Sequence, residues 1–465
     1  MVSLLAAAIC AALVAYLFWD DRKLRLHPVD GLWVPLAWMF LAGSRWASSW
    51  LNLGQPLDSV DSYSEGSPVD RAVFFALIVA GLVVLARREV SWRALFSNNM
   101  LLVLYLLYCL VSVTWSDEPY VAFKRWFKDL GNPVMVLVIV TSRYPLEALT
   151  TLLRQLAYLL LPLSVLFVKY LPELGRTYHI DGSPMYTGVG HQKNDLGLMC
   201  LISGTYFLWL TIQMREQFLK WKLRRRCTIY GLSAMMCWLL YMSNSQTALA
   251  CLLIAGTMFA VGRLPPIKRQ PTRIVPTLLF GFIVLAILDL ASDARQHVFE
   301  MLGRNPTLTN RTELWGLLSS LTTNPWVGSG FMSFWTGERM EVVWKAMGPG
   351  VNQAHSGYLE QLLNLGYVGL LLTALLVGRG LANAWRQLSR DTGMAMLRMV
   401  FIVIACFYNY TEASFYGINN MWVLLLVGVI SQPPVRVTAS WKSFAEHTVP
   451  PRAAPSEVTR GSQVW

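Results

Sequence analysis

The sequence predicts an all-α polytopic membrane protein, and three observations carry that reading. Of 465 residues, 55% are apolar and only 14% charged, where soluble domains carry roughly 25% charged residues. Mean hydropathy is +0.43. Uncharged apolar stretches near or above the ~18-residue span criterion recur along the chain between short polar segments. This composition excludes a soluble globular enzyme. A transmembrane barrel is excluded too, because the stretches are continuous and rich in Leu, Ala and Val, not ~10-residue alternations of polarity.

Taken in order, spans are predicted at about 2–19, 31–50, 71–86, 99–114, 119–141, 147–168, 192–212, 228–243, 246–262, 274–291, 354–378, 397–411 and 418–431. The count is eleven to thirteen. Residues 1–291 thus form an N-terminal set of helices, 292–353 a large hydrophilic loop with short helices, and 354–431 a C-terminal set. A Pro-, Ser- and Arg-rich tail, 432–465, reads as cytoplasmic and disordered.

Basic residues orient the spans. Arg215, Lys220, Lys222, Arg224, Arg225 and Arg226 share one connection, Arg263, Lys268, Arg269 and Arg273 a second, and Arg379, Arg386 and Arg390 a third. All fall on one face, with Arg87, Arg88 and Arg93, and the positive-inside rule makes that face cytoplasmic. Asp58, Asp61, Glu65 and Asp70 form an acidic loop opposite. The 169–191 and 292–353 loops are then outside, as is the amino terminus, with no removable signal peptide expected. The balance of +12 therefore reflects membrane topology, and nucleic acid is not an expected partner.

Several chemistries lack their simplest signatures. The seven cysteines lie within or beside apolar stretches with no CxxC or zinc spacing, so neither a disulfide frame nor a metal site is indicated. There is no GxxxxGK[ST] loop, HExxH helix or GxSxG elbow, which argues against ATP-driven transport, zinc proteolysis and lipase chemistry. No repeat or inverted pair of broken helices points to a transporter.

Three segments on the outer face carry candidate chemistry. The large loop holds Arg295, Arg304, Arg311, Arg339 and Lys345 against the positive-inside trend. Within it, NPTLTNRTELWGLLSSL reads as a helix start, with Asn310 as N-cap, Glu313 completing a capping box and Leu314, Trp315, Leu317, Leu318 and Leu321 on one apolar face. Arg311 in its first turn is a cation beside a positive helix end, a conflict that an external phosphate would relieve. The competing reading is that Arg311 pairs with Glu313 or faces water.

NQAHSGYLEQLLNLGYVGLL puts His355 at the outer mouth of a span, where a helix N-terminus disfavours imidazolium and suits a general base. Glu360 follows inside the same span, where an ionisable group costs about 2.5 kcal/mol or more unless paired or in a wet cavity. A capping or carbonyl-bonded histidine is the competing reading. YTGVGHQKNDLGLM brings His191, Lys193, Asn194 and Asp195 to a third helix start, with lipid phosphate as the alternative partner for Lys193 and simple first-turn placement the alternative for Asp195. Three such helix starts on one face would cradle a diphosphate.

These residues resemble the bacterial O-antigen ligase and polysaccharide polymerase superfamily. His355-Ser356, nine residues, Gly366, two residues and Gly369 fit its H-[NSQ]-x9-G-x2-[GTY] pattern. Arg311-x3-Trp315 and GxxHQKNxLG strengthen the likeness, and WVPLAWMFLAGSRWASSWL with WSDEPYVAFKRWFKDLG looks like the branch of succinoglycan-type exopolysaccharide polymerases.

The resemblance implies a GT-C-like bundle and a metal-independent inverting glycosyltransferase of the bacterial inner membrane. It would act at the periplasmic face on undecaprenyl-diphosphate-linked glycans, without a cofactor. By matching position, His355 would be the catalytic base, Arg311 would bind the leaving diphosphate, and Lys193 would be a second contact. His191, Gln246 and Glu360 join the candidate substrate-binding set. One departure is SNSQT, where Gln246 stands in a turn that often supplies Arg in the ligases. Arg45, Arg176, Tyr186 and Glu412 are polar groups near the outer side that contact sugar or serve structure. The branch likeness favours a polymerase over a ligase acting on lipid A core. A lipid-linked oligosaccharide flippase is the reading from another class. Donor glycan, acceptor glycan and bilayer are the expected partners, with a chain-length regulator and a flippase as further candidates.

Overall fold

The computed structural model describes residues 2–23, 29–52, 66–178, 182–280, 311–348 and 350–431. The expected tail, the acidic residues Asp58, Asp61 and Glu65, and Asn310, Arg295 and Arg304 lie outside the described residues. The protein is a helical membrane bundle. In chain order its main helices are α1 (Val2–Arg22), α2 (Trp33–Ala42), α3 (Ala47–Trp50), α4 (Pro68–Ala86), α5 (Trp92–Asn98), α6 (Met100–Val111), α7 (Pro119–Asp129), α8 (Gly131–Val140) and α9 (Pro145–Tyr170). There follow α10 (Lys193–Leu208), α11 (Leu223–Ser243), α12 (Gln246–Gly262), α13 (Arg311–Ser320), α14 (Gly337–Met347), α15 (Gly357–Gln387), α16 (Thr392–Thr411) and α17 (Asn420–Val429). A small antiparallel hairpin, β1 (Arg176–Tyr178) and β2 (Pro184–Tyr186), pairs Thr177 with Met185.

Among the described residues, six helices are long and apolar enough to cross a membrane, or seven if the pair Trp92–Asn98 and Met100–Trp115, bent by 81°, is one span. Others are shorter than expected for local reasons. The stretch expected as one span at 119–141 is two helices. α7 carries Lys124, Arg125 and Lys128 among its aromatics, so it cannot bury all round, whereas α8 is wholly apolar after Asn132. Charge stops α7 from continuing the membrane crossing.

α9 and α10 are buried along most of their length, and with α16 and α17 they form the centre of the bundle. α1 is peripheral and anchored at one end. Its Asp21 accepts from Arg154 Nε at 2.6 Å and Gln155 Nε2 at 2.7 Å within α9, and Asp20 pairs with Arg224 of the basic connection. That end of α1 is therefore tied to α9 and to the basic connection before α11.

The expected amphipathic helix at 311–320 is present, with Leu314 and Leu318 buried against Phe334, Trp335, Val343 and Leu363. α15 is interrupted at Gly366, whose φ of 63° and ψ of −166° are non-helical. A Cβ there would run into the Trp326 backbone. The interruption frees backbone groups that segment 325–330 satisfies. Tyr367 and Val368 N–H donate to the Pro325 and Trp326 carbonyls at 2.8 and 3.1 Å, while Ser329 and Gly330 N–H donate to the Leu363 and Asn364 carbonyls at 3.0 and 2.8 Å. Segment 325–330 is thus strapped into a broken helix, as buried backbone groups require.

Candidate functional site

Glu412 gathers the three segments. It follows directly on α16, and its Oε1 accepts from Asn194 Nδ2 at 2.9 Å and lies 3.9 Å from Arg311. Its Oε2 lies 3.7 Å from His355 Nδ1. The Glu412 carbonyl accepts from Gly357 N–H at 2.9 Å, which clamps the start of α15 to the end of α16. That approach needs glycine, because a Cβ on Gly357 would overlap Asn409.

His355 precedes the N-cap Ser356, whose hydroxyl accepts from Leu359 N–H at 3.4 Å. Its φ of 50° is a left-handed value that non-glycine residues seldom adopt. The peptide before it is fixed from both sides. Ala354 N–H donates to Glu360 Oε1 at 2.6 Å, and the Ala354 carbonyl accepts from Trp315 Nε1 at 2.8 Å. The Arg311-x3-Trp315 spacing therefore has a physical reason: one turn of α13 offers Arg311 to Glu412 and Trp315 to the residue before His355. Nδ1 of His355 is buried and has no hydrogen bond among the described residues. The side chain as a whole is 33% exposed, so the rest of the ring can meet a substrate.

Glu360 is buried and fully engaged by the protein. Besides Ala354, it accepts from Trp335 Nε1 at 3.0 Å, Tyr416 hydroxyl at 2.6 Å and Asn364 Nδ2 at 3.2 Å. This network ties the Trp335 segment, the His355 turn and the segment after Glu412 to one carboxylate.

Lys193 opens α10, is half-buried and makes no ion pair among the described residues. Its neighbour Asp195 is committed to capping, accepting from His191 and Gln192 N–H at 3.0 and 3.1 Å. The His191 imidazole meets solvent at one edge. Desolvation of the rest nevertheless holds its pKa below 6.5, Asp195 opposing and Arg45 reinforcing that shift. Gln246 is exposed, its Nε2 donating to Asn244 Oδ1 at 3.3 Å, and Thr247 shares a 2.6 Å hydrogen bond with Thr411. That bond puts the Gln246 turn beside the residue preceding Glu412.

Other cations are structural. Arg339 donates to the Ser333 and Phe334 carbonyls and pairs with Asp117, and Lys345 lies 4.0 Å from Glu341 on the surface of α14. Arg176 donates to the Val168 carbonyl at 2.8 Å and lies over the Tyr186 ring at 5.2 Å. Arg45 donates to the Leu174 carbonyl. Sequence reasoning gave Glu412 no special weight. Its signal is tertiary, since it lies far along the chain from each residue it meets.

Residues 231–374 match the family model described as O-Antigen ligase. The match makes this part of the chain similar to the O-antigen ligase family. No curated protein matches the chain. That family is one of glycosyltransferase-type enzymes, and six long apolar helices fit a multi-pass membrane protein. The stretch similar to the O-antigen ligase family contains Gln246, Arg311, His355, Glu360, Gly366 and Gly369. Lys193, His191 and Glu412 lie beyond it and join it through the fold.

Proposed function

We propose that this protein polymerises undecaprenyl-diphosphate-linked oligosaccharide repeat units at the periplasmic face of the inner membrane. The observation that carries the reading is the meeting of His355, Arg311 and Asn194 at the buried Glu412. That gives a base, its orienting carboxylate and a cation within one small volume.

An acceptor hydroxyl attacks the anomeric carbon of the donor from the face opposite the diphosphate. Its proton passes to His355. The bond from the anomeric carbon to the diphosphate oxygen breaks, and the diphosphate leaves with the electron pair. One displacement gives inversion. Glu412 holds the imidazole and stabilises the imidazolium as it forms, a task suited to a carboxylate 3.7 Å away. Arg311 and Lys193 offset the charge on the leaving diphosphate. This assigns charge neutralisation to side chains and not to a metal ion. Glu360 positions His355 through Ala354, and Gln246 lends a neutral hydrogen-bond donor at the rim.

The test is purified protein with lipid-linked repeat units and a chelator, wild type against His355→Ala, read as a glycan ladder. A ladder from wild type alone supports the proposal. A product formed only when lipid A core is supplied makes the protein a ligase, and equal ladders remove His355 as the base. A flippase would move lipid-linked glycan without forming any new linkage.

A further inference from the structure

α13 makes two contacts at the site, and they differ in kind. Arg311 faces Glu412 across 3.9 Å, longer than a hydrogen bond, and its side chain is 24% exposed, so a substrate anion can reach it. Trp315 donates its indole N–H to the Ala354 carbonyl at 2.8 Å, a contact with backbone and not with charge. Residues four apart share one face of a helix, with about 5–6 Å between their Cβ atoms.

The Ala354 carbonyl belongs to the peptide that ends at the His355 nitrogen, and rotation about the next bond is the φ of 50°. A non-glycine residue stays in that region only where its surroundings hold it. Two of the bonds that hold this turn come from α15 and the end of α16: Ala354 N–H donates to Glu360 at 2.6 Å, and Gly357 N–H donates to the Glu412 carbonyl at 2.9 Å. The bond from Trp315 comes from α13 instead. That helix is seated apart from the main core of the bundle. Its Leu314 and Leu318 are buried in a second cluster with Trp335 and Leu363, and Ala354 is a buried member of the same cluster. α13 is thus packed against the residue whose carbonyl its indole holds.

We infer that Trp315 is a positioning residue that sets where His355 stands relative to the leaving group, the first turn of α13 fixing the separation between the cation that meets the diphosphate and the backbone that carries the base. This rests on the roles proposed above for His355 and Arg311. The separation matters because a reacting group displaced by about 1 Å can lose about 100-fold in rate.

The experiment compares variants of the full-length protein by chain extension on lipid-linked repeat units and by binding of undecaprenyl diphosphate. Trp315→Phe keeps an aromatic ring in the cluster and removes the N–H. It is expected to lower kcat about tenfold or more with affinity for undecaprenyl diphosphate unchanged, whereas Leu318→Ala, which unseats the helix, is expected to lower both. The deciding variant is the double one. Because Trp315 acts through His355, adding Trp315→Phe to His355→Ala is expected to leave the residual rate where His355→Ala alone puts it. An unchanged kcat in Trp315→Phe overturns the proposal, as does a further fall in the double variant or a loss of affinity matching that of Arg311→Ala. If Trp315→Phe lowers the melting temperature, a benzothiophene analogue of tryptophan placed at 315 repeats the test with the indole outline kept and the N–H absent, and fluorotryptophan there is expected to restore the rate. Failure of the proposal and failure of the reading beneath it are distinct: an unchanged rate in His355→Ala removes the base itself, while a slow His355→Ala beside a normal Trp315→Phe removes only the role of Trp315.

Discussion

Replacing Glu412 by Gln tests the pairing at the heart of the site while disturbing little else. The isostere keeps an oxygen for Asn194, and the backbone carbonyl that holds Gly357 is untouched. What it removes is the negative charge 3.7 Å from His355 Nδ1 and 3.9 Å from Arg311. A unit charge pair at 3.7 Å is worth about 1 kcal/mol in water and about 4 kcal/mol at an effective dielectric of ~20. Glu412 is nearly buried and His355 one-third exposed, which puts the pair between those limits. The imidazolium exists only once the acceptor proton has moved, so the loss falls on the transition state, a roughly 5- to 1000-fold fall in kcat. Donor affinity should hold or improve, because Arg311 loses its competitor for the diphosphate. Initial rates of chain extension across donor concentration separate the two constants. An unchanged kcat in E412Q, or a loss confined to donor KM, would refute the role given to Glu412.

Four further outcomes follow from named contacts. Glu360→Gln turns one acceptor of the network into a donor facing donors, so it should lower the melting temperature by the loss of about 1–3 kcal/mol and reduce kcat with donor binding retained. Gly366→Ala forces a side chain into a backbone region reserved for glycine, costing about 1–3 kcal/mol before the collision with Trp326, and faster proteolysis of the outer loop should report release of the 325–330 strap. Arg154→Ala takes from the buried Asp21 the guanidinium it pairs with, which should cost about 3–5 kcal/mol, read as a fall in melting temperature. His191, with a folded pKa below the ordinary 6.5, binds fewer protons folded than unfolded. Its contribution is therefore present above pH 6.5 and lost as pH falls from there through the lower folded pKa, so His191→Gln should narrow the drop in melting temperature from pH 7.5 to pH 5 relative to wild type.

Much of the bundle is legible from hydropathy, because a membrane rewards long apolar stretches whatever their neighbours. α12 begins and ends where its apolar run does, at Gln246 and Gly262. α7 and α8 show where the reading fails: the run from 119 to 141 is apolar on average, yet the charges at 124, 125 and 128 fall in its first half and split it. His355 and Arg311 stand out because each offends a local rule, an imidazole at a helix mouth and a cation at a positive helix end. Glu360 also offends one, but the sequence cannot show that Trp335, Tyr416 and Ala354 satisfy it. Glu412 breaks no local rule at all, and its weight comes only from three distant segments converging on it. Gly366 was visible as a pattern, whereas the strap that needs it belongs to tertiary structure.

The most direct test of the account is a single turnover of labelled lipid-linked donor with acceptor, followed by NMR of the new glycosidic linkage. Wild type should give one linkage of anomeric configuration opposite to that of the donor, with one lipid diphosphate released per bond, and His355→Ala should form it at least about 100-fold more slowly. Retained configuration, or an unchanged rate in His355→Ala, would contradict a direct displacement driven by this histidine.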